Sequence, residues 1–282
     1  MEGRRSAHAA RRGAGVNTAL LSNEPLTRLV VFLAVLLAMA IWELLAERRP
    51  QQLRRAKRWP ANLLIVLLDT AVVRLAFPLA AVGAAIYAQE RGWGLFNLLA
   101  VPGWIALILA VLVLDAAVYF QHRLFHAVPV LWRLHRMHHA DQEFDVTTAL
   151  RFHPLEILLS MIIKIAVVVA LGASPLAVIV FEILLNATAM FNHGNVRMPL
   201  RLDRYLRLLV VTPDMHRVHH SIIRQETDSN FGFNLPWWDR LFGTYRDQPE
   251  KGHLGMTIGL EYFRTEGDQR LGNMLVQPFR NR

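Results

Sequence analysis

Cysteine is absent from all 282 residues, which excludes disulfide-stapled secreted domains, thiolate metal sites, a cysteine nucleophile and an iron–sulfur cluster. No G-x-G-x-x-G unit is present, so the chain lacks a glycine-rich turn for a nicotinamide or flavin. Charge is sparse, at 19% of residues, against 54% hydrophobic residues. The apolar residues are gathered in long blocks, and a mean hydropathy of +0.27 places the chain among membrane proteins. The formal net charge of +9 does not argue for nucleic acid, because the basic residues flank apolar blocks, where cytoplasmic loops and anionic headgroups account for them.

Residues 1–24 carry Arg4, Arg5, Arg11 and Arg12 among Ala, Gly and Ser and read as a flexible basic tail. Residues 26–46 have the ~20-residue length of a bilayer-spanning helix. Ala38 and Ala40 would also suit a signal-peptide cleavage site. Cleavage would export the next loop, ERRPQQLRRAKRWP, against the positive-inside rule. A second span covers residues 61–88, with Pro78 and Gly83 tolerated inside a membrane helix, and a third runs from about residue 98 to 120. Residues 155–172 and 175–192 form a helical hairpin around Gly172 and Pro175. Its antiparallel packing sets Lys164 opposite Glu182, the expected remedy for two charges at membrane depth.

With the basic loop at 48–58 in the cytoplasm, His122 to His153, His193 and all that follows share that side. The expected fold is all-α: a multi-pass membrane bundle with a cytosolic, histidine-rich helical cap, suited to a bacterial inner membrane. The expected divisions are a basic tail (1–24), a first crossing with its basic loop (25–60), a catalytic domain (61–246) and a C-terminal cytosolic tail (247–282).

The histidines carry the chemistry. Twelve occur in the chain, and eight of them fall in residues 122–139 and 216–220, where an even spread would place about one. They form His122-Arg-Leu-Phe-His126, His135-Arg-Met-His138-His139 and His216-Arg-Val-His219-His220. On a helix, positions i, i+3 and i+4 share a face, so each cluster presents its imidazoles together. Neutral imidazole suits iron, zinc, copper and nickel, and eight donors exceed what one zinc or one iron facial triad takes. Two adjacent metals fit the number.

In these residues the chain resembles the fatty acid hydroxylase and sterol desaturase superfamily of membrane histidine-box di-iron oxygenases. Its boxes, H-x3-H, H-x2-H-H and a distal H-x2-H-H, match His122/His126, His135/His138/His139 and His216/His219/His220 in order. The flanks agree: residues 115–119, Arg151-Phe152-His153-Pro154-Leu155-Glu156, Phe191-Asn192-His193, Asn230-Phe231-Gly232, and 238–244. The resemblance implies hydroxylation or desaturation of a lipid C–H bond with two iron ions and O2. It implies electrons from a separate donor, a ferredoxin, cytochrome or reductase. It makes the eight box histidines metal ligands and His193 the ninth. Ala189 stands where some fatty acid hydroxylases have a further histidine, which brings the set nearer to sterol oxidases and alkylglycerol monooxygenases.

Other residues admit more than one role. His153, before Pro154, is a tenth ligand, a group behind the ligands or a helix cap. Asp115, on the face of His122, orients a ligand or reaches the interface. Asp141, Glu143, Asp145 and Asp214 are further orienting candidates, whereas His8 and His253 lie outside every motif and read as exposed. Phe120, Phe125, Trp132, Phe144, Phe152, Phe191, Trp237 and Trp238 line a lipid channel or simply pack. Arg123, Arg136 and Arg217, between the boxes, give a positive field for an acidic electron carrier or contact headgroups. Two other classes remain: a membrane zinc hydrolase, which would want a glutamate inside its histidine pair as in H-E-x-x-H, and a non-enzymatic metal-binding membrane protein.

Overall fold

The computed structural model describes residues 23–281, so the basic tail of residues 1–22 lies outside the described residues. Helices dominate them, and the only extended pairings among them are two isolated bridges, Glu47 with Val196 and Ser221 with Ile258. Five segments are long and apolar enough to cross a membrane: Glu24–Leu45, Arg55–Leu98, Gly103–Ala127, Pro154–Leu171 and Pro175–Asn192.

Helix α1 (Glu24–Leu45) is the first crossing. The second starts as α2 (Arg55–Ala76) but does not run through as one helix. It breaks at residues 77–79 and resumes as α3 (Ala80–Glu90), then α4 (Leu95–Leu98). The expectation that Pro78 sits inside a continuous helix is therefore corrected. Proline offers no N–H and disfavours helical geometry in the residue before it; Phe77 accordingly adopts φ −131°, ψ 74°. At the far end the chain turns tightly against the hairpin, where a Cβ on Gly94 would stand 2.0 Å from the Gly172 nitrogen. Only glycine allows that approach.

Helix α5 (Gly103–Ala127) returns across the membrane. Asp115, Tyr119, His122 and His126 fall on its buried face, while Ile108, Leu109, Val113, Phe120 and Leu124 are exposed on the lipid face. After α6 (Pro129–His139), a 3-10 turn at Thr148–Leu150 leads into the hairpin of α7 (Pro154–Leu171) and α8 (Pro175–Asn192). Gly172, in the left-handed region at φ 66°, ends α7, and the Ser174 hydroxyl caps α8. Lys164 faces Glu182 across the hairpin at 2.7 Å as the spacing predicts, and Arg28 of α1 joins the same carboxylate at 2.9 Å.

Beyond α8 the chain folds as short helices: α9 (Leu200–Leu206), α10 (Pro213–His219), α11 (Arg224–Thr227), α12 (Trp237–Leu241), α13 (Gly252–Gly255) and α14 (Leu271–Val276). Residues 247–281, expected as a tail, fold back on the histidine side. Arg136 donates to the carbonyls of Gln277 and Arg280 at 2.6 and 2.7 Å, and Arg151 to the Gln269 side chain at 2.6 Å.

Ionic clamps join the crossings to this cap. Arg58, fully buried in α2, holds both oxygens of Asp141 at 2.7 Å and Asp145 at 2.8 Å. Glu43, near the end of α1, accepts from the backbone N–H of Val146 and of Asn195.

Candidate metal centre

Four helix ends bring the imidazoles together. His122 and His126 lie one turn apart on α5, and Pro129 starts α6 so soon afterwards that its own histidines turn back toward them. His193 is the residue that ends α8. The Thr212 hydroxyl caps α10, which carries His216 and His219 and ends at His220. All nine are buried.

They fall into two groups whose donor nitrogens lie within 4.8 Å of one another: His122, His126, His135, His139 and His219 in the first, and His138, His193, His216 and His220 in the second. The division follows helical spacing. Each i/i+4 pair (122/126, 135/139, 216/220) serves one group, and the histidine at i+3 crosses to the other.

Hydrogen bonds set the tautomers. The Nδ1–H groups of His122, His193 and His219 donate to the carbonyls of Phe231, Ala189 and Ser229 at 2.8, 2.7 and 2.7 Å. His135 donates Nδ1–H to Glu156 at 2.7 Å, and His126 lies 3.4 Å from Asp228. Nε2 of His122 and Nε2 of His135 then both carry lone pairs, yet they stand 3.1 Å apart, while Nε2 of His138, whose Nδ1 finds no partner, lies 3.2 Å from that of His193. Facing lone pairs repel unless a proton or a metal ion lies between them. Burial disfavours the proton: it pushes His135 down to about 3 and His193 to about 4, and holds His138, His139, His216, His219 and His220 well below the usual imidazole range. Nε2 of His126 and His219 and both nitrogens of His139, His216 and His220 find no hydrogen-bond partner. Two buried sets of neutral, under-satisfied imidazoles are the donor set that two transition-metal ions would satisfy.

An aromatic shell encloses both groups. Phe152 stacks on His138 with ring centroids 4.6 Å apart, Trp132 covers His126 and His139, and Phe144 covers His193 and His220. Phe231 lies against His126 and His219, and Phe233 touches His122 and His216, one from each group. Phe125 packs by His135, and Phe191 stacks on Trp42. Phe120 and Trp237 are exposed instead.

Several singled-out residues stand elsewhere. His153 caps α7, accepting from the Leu155 N–H, while its other nitrogen bonds the Leu275 carbonyl at 3.2 Å; it belongs to neither group. Asp115 accepts from the Leu235 N–H and Trp238 Nε1, holding the segment behind Phe233 and touching no histidine. Asp141 and Asp145 serve Arg58, Glu143 accepts from the N–H groups of Gln52 and Leu53, and Asp214 pairs with Arg48 and Arg217. Glu156 is the carboxylate that reaches a box histidine from α7. The sequence signal was its place in the first turn after Pro154, on the side of His153. His253, expected exposed, is buried with Nε2 3.5 Å from Asp214. Arg136 and Arg217 are buried as well, bonded to Gln277 and to Asp214 and Gly194, so neither presents its guanidinium to headgroups or a carrier at the surface.

Fold and site together define a membrane-spanning helical protein with a buried, paired histidine centre. Residues 107–244 match the family model described as Fatty acid hydroxylase, which places this segment in that superfamily of histidine-box proteins. It is 31% identical over 159 residues to alkylglycerol monooxygenase of Homo sapiens, covering 55% of this chain and 34% of that one. Ornithine lipid hydroxylase OlsE of Rhizobium tropici is 33% identical over 152 residues (54% and 45%), and cholesterol 25-hydroxylase of Rattus norvegicus 24% over 163 (57% and 53%). The chain thus spans between about a third and a half of the length of these curated relatives. No solved structure matches it significantly.

Proposed function

We propose that this protein is a membrane-bound di-iron oxygenase that hydroxylates a C–H bond of a lipid. The observation that carries the reading is the buried five-plus-four division of nine imidazoles, with the Nε2 lone pairs of His122 and His135 facing each other, inside the segment that matches the family. His122, His126, His135, His139 and His219 would hold one iron, and His138, His193, His216 and His220 the other. Iron bound there, supplied with O2 and electrons, is the chemistry that converts C–H to C–OH.

The chain's own part is positional. The carbonyls of Phe231, Ala189 and Ser229 and the carboxylate of Glu156 fix the rings from behind. Phe152 and Phe233, which reach both groups, exclude water from the space between them and present an apolar surface to an acyl chain or ring system. Both continue into an apolar cluster with Met39, Leu150 and Ala189, which runs from the histidines toward α1 and α8. That continuity supports a substrate held in the bilayer, as do the alkylglycerol, ornithine lipid and cholesterol enzymes among the relatives. Electrons come from a separate carrier, since the chain offers no glycine-rich cofactor turn and no cysteine. The basic loop on the histidine side supports a cytoplasmic site in a bacterial inner membrane.

A zinc hydrolase is disfavoured by the same geometry. The two carboxylates that reach the cluster, Glu156 and Asp228, each face Nδ1 of a histidine, the place of an orienting group and not of a free base. Membranes containing the protein, given 18O2, a reductase system and candidate lipids, test the reaction. Labelled oxygen in a hydroxylated lipid is expected; an unlabelled alkene as sole product would show desaturation, and no oxygen consumption with any lipid would refute the reading.

A further inference from the structure

A second apolar surface, apart from the crossings, lies on the histidine side. Leu200, Leu202 and Tyr205 of α9, Leu209 just after it, and Leu241 and Phe242 at the end of α12 are all exposed, four of them by more than 60%. The two segments are tied to each other, Trp237 Nε1 donating to the Leu208 carbonyl at 2.7 Å and Arg240 to the Arg207 carbonyl at 3.1 Å. Their face is continuous with the lipid face of α5, because Phe242 packs 4.9 Å from Phe120, which is itself exposed beside Leu124.

The level of this surface is set by its neighbours. α1 ends at Leu45 and α8 at Asn192, and the Arg197 N–H bonds the Ala46 carbonyl at 2.7 Å. The segment therefore starts where two crossings leave the bilayer. Its charge is one-sided. Asp203 and Asp247 are both engaged by Arg207, whereas Arg197, Arg201 and Arg204 are exposed and form no salt bridge among the described residues. Exposed leucines and aromatics interleaved with arginine are unfavourable in water but suit an element lying in the plane of the headgroups.

We propose that residues 197–209 and 237–242 form a monotopic membrane-binding face, its leucines and aromatics in the acyl boundary and Arg197, Arg201 and Arg204 against the phosphates of anionic phospholipids. The cap is then pinned to the leaflet along one edge as well as hung from the crossings. This holds whether or not the centre hydroxylates a lipid.

The absence of cysteine makes the test direct. Single-cysteine variants L202C, L241C and R224C of the full chain, spin-labelled in phosphatidylcholine vesicles with phosphatidylglycerol, report depth from their relative accessibility to oxygen and to a water-soluble nickel chelate. Arg224 is 84% exposed and serves as the aqueous reference. Labels at 202 and 241 should favour oxygen by about tenfold over the label at 224. Accessibility equal to that at 224 would overturn the proposal. Separately, the wild-type chain should retain phosphatidylglycerol over phosphatidylcholine by about fivefold at low salt, and R197Q/R201Q/R204Q should bring the ratio near one. An unchanged ratio, or no preference in the wild type, would refute the headgroup assignment.

Discussion

At the scale of single residues, the two histidine groups make separable demands. His219→Ala removes a donor from the first group and His138→Ala one from the second. Each should lower bound metal from about two ions per chain toward one and abolish turnover, while Lys251→Ala at an exposed position leaves both unchanged; metal analysis of purified protein checks this. Glu156 acts through the ring of His135. Glu156→Ala should weaken metal retention by about 10–100-fold, and Glu156→Gln, which still accepts the Nδ1–H, by less. Equal losses in the two variants would mean that packing, not ring orientation, is the contribution. Acid should release the metal. Imidazoles whose folded pKa is depressed, such as His135 to about 3 and His193 to about 4, stabilise the folded chain above the unfolded value of about 6.5. That contribution declines as pH falls below 6.5 and is gone near 3 to 4. Protein desalted at stepwise lower pH should lose metal and cooperative unfolding together across that window.

At the scale of elements, the clamps between crossings and cap matter most. Arg58→Ala would leave Asp141 and Asp145 buried without their cation, directly after the helix of His135, His138 and His139. A loss of about 3–5 kcal/mol is expected, read as a fall in thermal midpoint in detergent, with metal loss alongside. The hairpin charges behave asymmetrically. Lys164→Met leaves Glu182 still paired with Arg28 and should cost about 1 kcal/mol or less. Glu182→Leu strands Lys164 at membrane depth, Arg28 keeping Glu24 as its partner, and should cost about 3 kcal/mol. Similar midpoints for the two variants would show that Arg28 does not share the charge.

At the scale of the whole molecule, the crossings decide which surface each loop occupies. The basic loop near Arg54 and the short helix at Arg224 lie with the histidines, and Arg91 lies at the opposite end beside the Gly94–Gly172 contact. A membrane-impermeant thiol reagent should therefore label R54C and R224C from one face of sealed vesicles and R91C from the other. Labelling of R54C and R224C from opposite faces would contradict the four returns of the chain.

The helical crossings, the three histidine boxes and the Lys164–Glu182 pair were legible in the chain itself, because apolar length, i/i+3/i+4 spacing and hairpin register are local properties. The division of nine imidazoles into five and four was not. It depends on how α5, α6, α8 and α10 cross, and no spacing within one helix reveals which neighbour an i+3 side chain meets. For the same reason Glu156 was seen beside His153, one turn away, rather than against His135 on another helix. Arg58 passed as one more loop cation although it is buried between two aspartates of the cap, and His253 passed as exposed although Asp214 faces its ring and Arg49 donates to its carbonyl. The break at Pro78 had a local signal, but whether a membrane proline kinks or interrupts a helix is settled by what packs around the freed backbone. Burial and partner choice are relations between distant segments, and only the folded chain decides them.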